Sequence, residues 1–354
     1  MHTTATGRRA SLDLLRVISI CGVVAIHTFA DIVTNPDARG SIDWWIALAL
    51  NTGFIWAVPV FVMLSGALNL DERAFRAGVP AYYRRRLTRL VPALVFWTLV
   101  YFVAIRVFAL HQSFTPRDVI AILFDAKVYP QLYFLWLIIG LVLFAPVLAA
   151  FLREGGNSRA LILAGSILGF TLLVFAAAGV MSYLGMPRTI YLGALNMWLP
   201  YVGYFVAGLA LLRARFSRAW LIVAGAAAAL AIVGTVLQVA HSSAAPLFRA
   251  VVAPGYLGAG VAVAAIGVFI VGVHGVDRIA FGPRFARGVA VLADAAFGVF
   301  LVHMIVLLVL DRTFPLFSDA TSIVGSIVAY LVIVVVSFAI SLGAQRVPVL
   351  RLVF

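Results

Sequence analysis

The sequence predicts an all-α, polytopic integral membrane protein of about ten transmembrane helices, with both termini in the cytoplasm. Of its 354 residues, 64% are hydrophobic and only 11% are charged, which is more apolar surface than a soluble domain can bury. Apolar stretches of the ~17–25 residues that a spanning helix needs recur along the whole chain. No loop exceeds about 20 residues, so residues 1–354 are expected to form a single transmembrane domain.

Ten apolar segments account for the predicted helices. They cover residues 12–30, 44–68, 87–109, 131–151, 160–184, 198–212, 219–240, 250–273, 289–310 and 322–345. The sixth is short, and Pro200 and Gly203 near its start favour a break or a tilt there. An even number of spans places both termini on the same side of the membrane.

The basic residues indicate which side this is. Eighteen of the 26 Lys and Arg residues fall on one side: Arg8, Arg9, Arg73, Arg76, Arg84, Arg85, Arg86, Arg89, Arg153, Arg159, Arg213, Arg215, Arg218, Arg278, Arg284, Arg287, Arg346 and Arg351. Seven fall on the other: Arg39, Arg106, Arg117, Lys127, Arg188, Arg249 and Arg312. Cytoplasmic loops carry the excess of Lys and Arg, so the larger set is predicted to be cytoplasmic. The net charge of +13 then reflects topology and contact with membrane lipids, and not a nucleic-acid partner.

The first apolar helix carries ionisable residues at membrane depth. Asp13, Arg16 and His27 each cost at least ~2.5–3.5 kcal/mol to insert, so a functional role is the default interpretation. Arg16 and His27 are eleven positions apart, which places them on one helix face, roughly 16 Å apart. Arg16 can meet a phosphate, and neutral His27 can act as a base. Asp31 would continue this face and orient the imidazole, or else form a solvated helix end.

Four arginines cluster where the third helix enters from the cytoplasm: Arg84, Arg85, Arg86 and Arg89. Arg86 and Arg89 are one turn apart and face the same way, so they can clamp a phosphorylated ligand, although lipid headgroups explain such residues equally well. Ser65, near the end of the second helix, would let a narrow ligand arm pass between helices. Ordinary helix packing accounts for Ser65 as well.

Two further features are candidates for binding an acceptor. Gln131, Tyr133 and Trp136 open the fourth helix at the predicted outer interface, where they suit a sugar but also match the usual aromatic belt. His303 lies in an apolar run of the ninth helix and either contributes to the site or joins two helices by a hydrogen bond. Cys21 is the single cysteine, and the histidines lack ligand-like spacing, so neither a metal nor a bound cofactor is expected.

Six motifs occur in order along the chain: LDLLR with Arg16-x10-His27, PVFVMLSGAL, YYRRRLTRLVP with Arg86-x2-Arg89, a pattern ending GLxLxxP, YVGYFVAGLALL, and FGVFLVHMIVL. Together they resemble the acyltransferase-3 family of membrane enzymes. They are most similar to the branch of O-acetyltransferases that act on surface polysaccharides such as enterobacterial common antigen. The resemblance implies that His27 is catalytic and that Arg16, Arg86 and Arg89 bind cytoplasmic acyl-CoA. Arg85 and Ser65 are further candidates for the acyl-CoA site, chosen for their position beside these residues.

The resemblance therefore implies a multi-pass acyltransferase of the bacterial inner membrane. It would move an acyl group, expected to be acetyl, from acetyl-CoA to a hydroxyl of a surface glycan or lipid-linked sugar. His27 would act as the base or carry the acyl group itself. The other assignments come from the residues alone: Asp31 would orient His27 unless it is a solvated helix end, and Gln131, Tyr133, Trp136 and His303 are the candidates for binding the acceptor. This branch usually opens the fourth helix with His-Leu-Trp-Phe, whereas the present chain has QLYF.

Two other functions are compatible with polar residues in a bundle of many spans. One is a transporter or flippase of lipid-linked sugars, against which stand the absence of an internal repeat and of acidic groups in mid-span. The other is a sensor or partner subunit without catalytic activity, which would leave His27 without a task.

Overall fold

A computed structural model describes residues 9–314 and 321–354. In these ranges the chain folds into helices joined by short loops. No strand occurs in these two ranges. The helices are α1 Ala10–Thr28, α2 Ala30–Thr34, α3 Ile42–Thr52, α4 Ala57–Asn69, α5 Val79–Leu99, α6 Pro116–Phe124, α7 Tyr133–Arg153, α8 Gly156–Tyr183, α9 Val202–Arg213, α10 Arg218–Ala240, α11 Pro246–Val251, α12 Ala259–Ile270, α13 Pro283–Thr313 and α14 Ile323–Ala344. The all-α prediction is confirmed.

Nine helical segments of the described residues are long and apolar enough to cross a membrane. They are Ala10–Thr28, Ile42–Asn69, Val79–Ala109, Tyr133–Arg153, Gly156–Tyr183, Arg218–Ala240, Ala259–Arg278, Pro283–Thr313 and Ile323–Ala344. A shorter apolar helix, Leu199–Arg213, stands at the position of the predicted sixth span. It begins with a 3₁₀ turn, Leu199–Tyr201, around Pro200, since proline restricts the start of a helix in this way. The protein is therefore a polytopic membrane protein.

Three predicted spans depart from a single regular helix. The first ends at Thr28, and a short second helix follows it. The second divides into α3 and α4. The third continues from α5 into a π-helical segment, Val100–Ala109. Departures of this kind inside apolar helices often mark functional sites, because they redirect side chains that a regular helix would point elsewhere.

Polar side chains define where several helices begin. The Ser41 hydroxyl accepts a hydrogen bond from the Trp44 backbone N–H at 3.0 Å and caps α3. Thr115 and Asp118 form a reciprocal capping box at the start of α6. Ser217 caps α10 in the same way as Ser41 caps α3. These caps satisfy N–H groups that have no partner within the helix.

The chain forms two units, each with its own packed helices. The first consists of Met1–Phe61, Leu172–Arg188 and Ala214–Gly343, and the second of Val62–Thr171, Thr189–Arg213 and Ala344–Phe354. In the first unit α1 packs against α13 and α3, and α10 packs against α12. In the second unit α7 packs against α5 and α9. That residues 1–354 act as a single domain stays a prediction.

In the second unit, α4 and α9 approach each other at two glycines. A Cβ atom at Gly66 would overlap the backbone oxygen of Phe205, and one at Gly208 would overlap that of Met63. Small residues allow such close packing, which is a usual mode of helix association in lipid. Two motifs that are distant in the sequence, PVFVMLSGAL and YVGYFVAGLALL, therefore meet here.

The predicted sidedness can be tested with introduced cysteines in a Cys21→Ala background. We expect Ser243→Cys, in the loop after α10, to react with an impermeant thiol reagent in intact cells, and Ser217→Cys to react only after the membrane is opened, because the positive-inside count assigns these loops to opposite sides. The reverse labelling pattern would overturn the topology. Arg8, which contributes to the count, and the outer loop at Ser318 lie outside the described residues.

Candidate active site

His27 lies in the last turn of α1, immediately before the helix ends. At Phe29 the backbone departs from helical geometry, with φ −90° and ψ 1°. The side-chain amide of Asn51, on α3, donates a hydrogen bond to the backbone oxygen of Ile26 at 2.5 Å. Carbonyl groups in a last helical turn need such partners from outside the helix. The Asn51 contact therefore fastens the end of α1, and with it His27, to α3.

The imidazole ring of His27 lies beside that of His303. Their ring centroids are 5.4 Å apart, and the ring planes make an angle of 41°. His303 is carried by α13, which packs along α1, and it is only 1% exposed. The structure thus brings together two histidines that lie at opposite ends of the sequence.

The hydrogen bonding of His303 fixes which ring nitrogen carries the proton. Its Nδ1 is 3.1 Å from the backbone oxygen of Val299. A carbonyl oxygen can only accept, so we assign the proton of the neutral ring to Nδ1, which leaves a lone pair on Nε2. Nε2 is buried and has no hydrogen-bond partner among the described residues. An unsatisfied buried acceptor costs stability, so its retention favours a role in binding or proton transfer.

Arg16 and His27 share one continuous helix, so their placement on a common face of α1 is confirmed. The Arg16 Nη1 atom lies 3.6 Å from the carboxylate of Asp13, one turn earlier in the helix. The Asp13 side chain is 7% exposed. The Arg16 side chain is only half-buried, and Asp13 offsets part of its charge. Binding of acyl-CoA by Arg16 stays a prediction.

The expected continuation of this face to Asp31 is wrong, because α1 ends at Thr28 and Asp31 lies in the separate helix α2. No hydrogen bond joins Asp31 to His27 in the part of the chain that the structure describes. The Asp31 carboxylate instead lies close enough to Asp311 of α13 for their charges to interact. Partial burial raises the pKa of Asp31 above its ordinary value. A catalytic role for Asp31 stays a prediction.

Arginines of α5 lie in the second unit. The charges of Arg85 and Arg89 act on Arg86, so the three guanidinium groups are close together. Arg86 is half-buried, its Nε atom has no hydrogen-bond partner among the described residues, and its guanidinium carbon lies 6.0 Å from the centroid of the Tyr82 ring. Arg85 donates a hydrogen bond to the backbone oxygen of Ala74 at 2.6 Å. Arg86 therefore retains donor capacity for a ligand, whereas Arg85 holds the loop before α5.

The end of α4 is linked to α5 beside these arginines. Asn69 donates a hydrogen bond from its amide to the backbone oxygen of Ser65 at 2.8 Å. The Tyr82 hydroxyl in turn donates to the Asn69 side-chain oxygen at 3.1 Å. Ser65 and Arg86 are thus connected through Asn69 and Tyr82. Contact of the Ser65 hydroxyl with acyl-CoA stays a prediction.

A cavity of about 460 Å³ in the second unit collects arginines that the sequence analysis treated only as topological. It is lined by Arg73, Arg76, Arg153, Arg213, Asp71, Glu72 and Phe75. The lining residues come from the loop before α5, from the end of α7 and from the end of α9, and all four arginines belong to the predicted cytoplasmic set. None of these arginines forms an ion pair within the described residues. Four guanidinium groups against two carboxylates favour a polyanionic ligand.

The residues predicted to bind the acceptor do not form one group. Gln131, Tyr133 and Trp136 belong to the second unit, and His303 to the first. Gln131 is 2% exposed, and neither atom of its side-chain amide has a hydrogen-bond partner among the described residues. Tyr133 lines a second cavity, of about 560 Å³, whereas Trp136 is half-buried and does not line it. Acceptor binding by these residues stays a prediction.

No group of three or more His, Cys, Asp or Glu within residues 9–314 and 321–354 is arranged to hold a metal ion. Cys21 has a free, half-buried thiol in the interior of α1. Its backbone oxygen accepts a hydrogen bond from the Tyr330 hydroxyl at 3.3 Å. Cys21 therefore lies where α1 meets α14, as a packing residue would.

The model of an acyltransferase domain, that of the acyltransferase-3 family, matches residues 9–345. The chain belongs to the acyltransferase-3 family. No curated protein and no solved structure matches it significantly. An acyltransferase-3 domain that spans nearly the whole chain identifies the protein as a membrane acyltransferase. The family inferred from the motifs is thus confirmed, and the surface-polysaccharide branch stays a prediction.

Sequence reasoning missed two features of this acyltransferase-3 domain. It recognised neither the contact between His27 and His303 nor the convergence of Arg73, Arg153 and Arg213 on one cavity. A signal for the cavity was present, since the segment from residue 71 to residue 89, which includes the loop before α5 and the start of α5, carries six arginines. Nothing in the sequence indicates that the ends of α7 and α9 lie beside this segment.

Proposed function

We propose that this acyltransferase-3 protein is an O-acetyltransferase of the bacterial inner membrane. It takes acetyl from acetyl-CoA on the cytoplasmic side and delivers it to a hydroxyl of a cell-surface glycan or glycolipid. The observation that carries the proposal is the pair His27 and His303, with an unpaired buried Nε2 on His303 and His27 beside it. Acyl transfer needs a base close to the attacking oxygen, and this pair supplies nitrogen lone pairs in a buried place.

In the proposed reaction, His27 takes the proton of the acceptor hydroxyl while the oxygen attacks the thioester carbonyl carbon. The bond from that carbon to sulfur then breaks, and CoA leaves as a thiol with the proton that His27 returns. In the covalent route, the His27 lone pair attacks the thioester carbonyl carbon first, the bond from that carbon to sulfur breaks, and CoA leaves as a thiolate. The acceptor hydroxyl then displaces the acetyl group from the imidazole and gives its proton to His303 Nε2, from which it passes to solvent or to the thiolate. In both routes the lone pair of His303 Nε2 accepts a hydrogen bond from the hydroxyl or from the protonated His27.

The donor is proposed to bind through its phosphates to the arginines of the second unit. Phe75 lines the arginine cavity and also contacts Tyr82, with ring centroids 4.6 Å apart. Tyr82 in turn lies beneath Arg86. The cavity and the Arg86 and Arg89 pair are therefore proposed to form one basic region, which would bind the ribose phosphate and the pyrophosphate of CoA. Phe75 presents an aromatic ring for the adenine base at the same place.

The alternative of a transporter or flippase of lipid-linked sugars draws no support from the family match. The arginine cavity also favours a donor site, because a substrate moved through a bundle does not require four arginines gathered from one loop and two helix ends on the predicted cytoplasmic side. We therefore retain acyl transfer as the proposed function.

Acetyl transfer can be measured on the purified protein in lipid nanodiscs with acetyl-CoA labelled in the acetyl group. We expect the label to leave CoA, slowly as acetate without acceptor and faster when surface glycan from a strain lacking the gene is added. The labelled glycan is then identified by mass spectrometry. A folded protein that neither hydrolyses acetyl-CoA nor labels any glycan fraction would contradict the proposed function. His27→Ala protein serves as the blank.

A further inference from the structure

The cavity of about 560 Å³ in the second unit is separate from the arginine cavity described above. The lining side chains that carry its chemistry are Arg106, Gln112, Asp125, Lys127, Tyr129 and Tyr133. They come from the π-helical end of the third span, from the loops before and after α6, and from the start of α7. Arg106 and Lys127 belong to the set predicted to lie outside. The positive-inside prediction therefore places the cavity on the outer face, where a surface glycan would arrive.

Arg106 is held at this cavity entirely by neutral groups. Its Nε donates a hydrogen bond to the Gln112 side-chain oxygen at 2.8 Å, and its Nη1 lies 3.5 Å from the backbone oxygens of Lys127 and Val128. Its guanidinium carbon lies 4.5 Å from the centroid of the Phe114 ring. No carboxylate within the described residues forms an ion pair with Arg106. The side chain is thus fixed in position while its positive charge stays uncompensated.

The carboxylate that lines the cavity is engaged by other groups. Asp125 accepts a hydrogen bond from the Lys127 ammonium at 2.9 Å and another from the Tyr191 hydroxyl at 2.8 Å. These two hydrogen bonds lower the pKa of Asp125, so it stays ionised and neutralises Lys127. The remaining charge of the cavity is the positive charge of Arg106, and an anion is the ligand it favours.

The backbone is also unusual at this cavity. Among the described residues, only two other than glycine have a positive φ, His111 at 53° and Ala126 at 55°. Ala126 lines the cavity, and His111 directly precedes Gln112, which also lines it. Arg106 lies in the π-helical segment. Backbone strain and π-helical turns concentrate at ligand sites, where the surrounding structure holds a side chain in a required place.

The remaining walls suit a sugar ring. Tyr129 and Tyr133 present aromatic rings, and Gln112 presents an amide. The Tyr129 ring packs against that of Tyr101, with centroids 4.5 Å apart, which fixes its position. Aromatic faces bind the apolar faces of sugars, and a few polar groups fix the orientation of a ligand in such a pocket. A bare phosphate or a lipid headgroup would make no use of the two aromatic rings.

We infer that this cavity binds the acceptor, and that the acceptor is a glycan that carries a carboxylate or phosphate group which pairs with Arg106. The inference rests on the proposed function in one respect, namely that the bound glycan is the substrate of acetyl transfer. Within it, Tyr133 retains its predicted role in acceptor binding, and Arg106 and Gln112 join it. Gln131 and Trp136 do not line the cavity.

Equilibrium binding tests this inference on the purified full-length protein in nanodiscs of phosphatidylcholine. The probes are an oligogalacturonate and a phosphorylated mannose oligosaccharide, each compared with an uncharged oligosaccharide of the same length. We expect at least one charged probe to bind more tightly than its uncharged counterpart and to bind less tightly as salt is raised. Arg106→Gln should weaken this binding by about tenfold or more, which corresponds to the loss of one charge-assisted hydrogen bond. Arg117→Gln is the matched control, because Arg117 is exposed in the same outer region but does not line the cavity.

Equal binding of charged and uncharged probes, or equal affinities for Arg106→Gln and Arg117→Gln, would overturn the inference. The inference would also be overturned if phosphatidylglycerol bound to the cavity in an Arg106-dependent manner while neither charged oligosaccharide bound. If Arg106→Gln does not fold, Lys127→Gln replaces it, since the Lys127 side chain is 72% exposed and its removal leaves Asp125 to repel an anion. That variant should weaken binding by roughly fivefold. If the charged glycan binds but no acetyl transfer is measured, the proposed function fails and the cavity remains a glycan-binding site. If acetyl transfer is measured but glycan binding does not depend on Arg106, the proposed function stands and the inference about the cavity fails.

Discussion

Substitution of His27 by alanine is expected to lower glycan acetylation at least ~100-fold, because general-base assistance contributes ~10²–10⁴ in rate. The rate is measured with saturating acetyl-CoA, so that the change appears in kcat. Acetyl-CoA binding and detergent stability should stay near wild type, since a side-chain hydrogen bond inside a membrane contributes only ~0.6 kcal/mol on average. His303→Ala should have a smaller effect on kcat and should raise the KM for the acceptor.

The control for this experiment is His241→Ala, because His241 lies on the exposed turn after α10 and has no contact with either histidine of the pair. It should leave the rate unchanged. Acetyl transfer above a few per cent of wild type in a folded His27→Ala protein would show that His27 is not the base. A stable acetyl adduct on His27, captured by rapid quench in the absence of acceptor, would select the covalent route.

The double substitution Arg86→Ala and Arg89→Ala is expected to raise the KM for acetyl-CoA by about 100-fold with little change in kcat. Each charge-assisted hydrogen bond to a phosphate contributes ~1.5–3 kcal/mol, and ~1.4 kcal/mol corresponds to a factor of ten in affinity. The reacting thioester lies far from the phosphates of the same molecule. The lost contacts therefore weaken the ground state and the transition state equally.

Arg84→Ala is the matched control, since Arg84 is an exposed arginine of the same helix that does not act electrostatically on Arg86. It removes one positive charge from the same region and so tests whether the loss of positive charge by itself raises the KM for acetyl-CoA. Similar KM values for Arg84→Ala and for the double variant would assign the whole cluster to lipid headgroups. An unchanged KM in the double variant would leave donor binding to the arginine cavity.

Local features of the sequence were sufficient to predict the membrane class, the family and most of the helices. Long apolar stretches must become helices in a bilayer, because only a helix satisfies its own backbone hydrogen bonds there. The common face of Arg16 and His27 follows from helical periodicity alone, and α1 runs through both residues. The irregular start of the short sixth helix was also predictable from the sequence, since Pro200 restricts the backbone there.

The residue at which α1 ends could not be predicted from local sequence. The sequence around His27 contains neither glycine nor proline to stop the helix, so it predicts that the helix continues and that Asp31 lies on the same face as His27. The helix ends where Asn51, on another helix, takes the backbone oxygen of Ile26 as its partner. Such a hydrogen bond depends on which helix packs beside α1, and no local pattern encodes that choice.

The candidate sites themselves were decided by tertiary structure. The side chains that met were distant in sequence: His27 with His303, Arg73 with Arg153 and Arg213, and Arg106 with Tyr133. Hydrophobicity and helical period predict that most of these residues lie in or at the end of a helix, whereas Arg73 lies in the loop before α5. Which helices become neighbours is set by close contacts between small residues, such as Gly66 against Phe205, and by hydrogen bonds between helices. The sequence by itself therefore determined the membrane class, the family and the common face of Arg16 and His27 on α1. Only the packing of the helices decided which of the distant residues share a site.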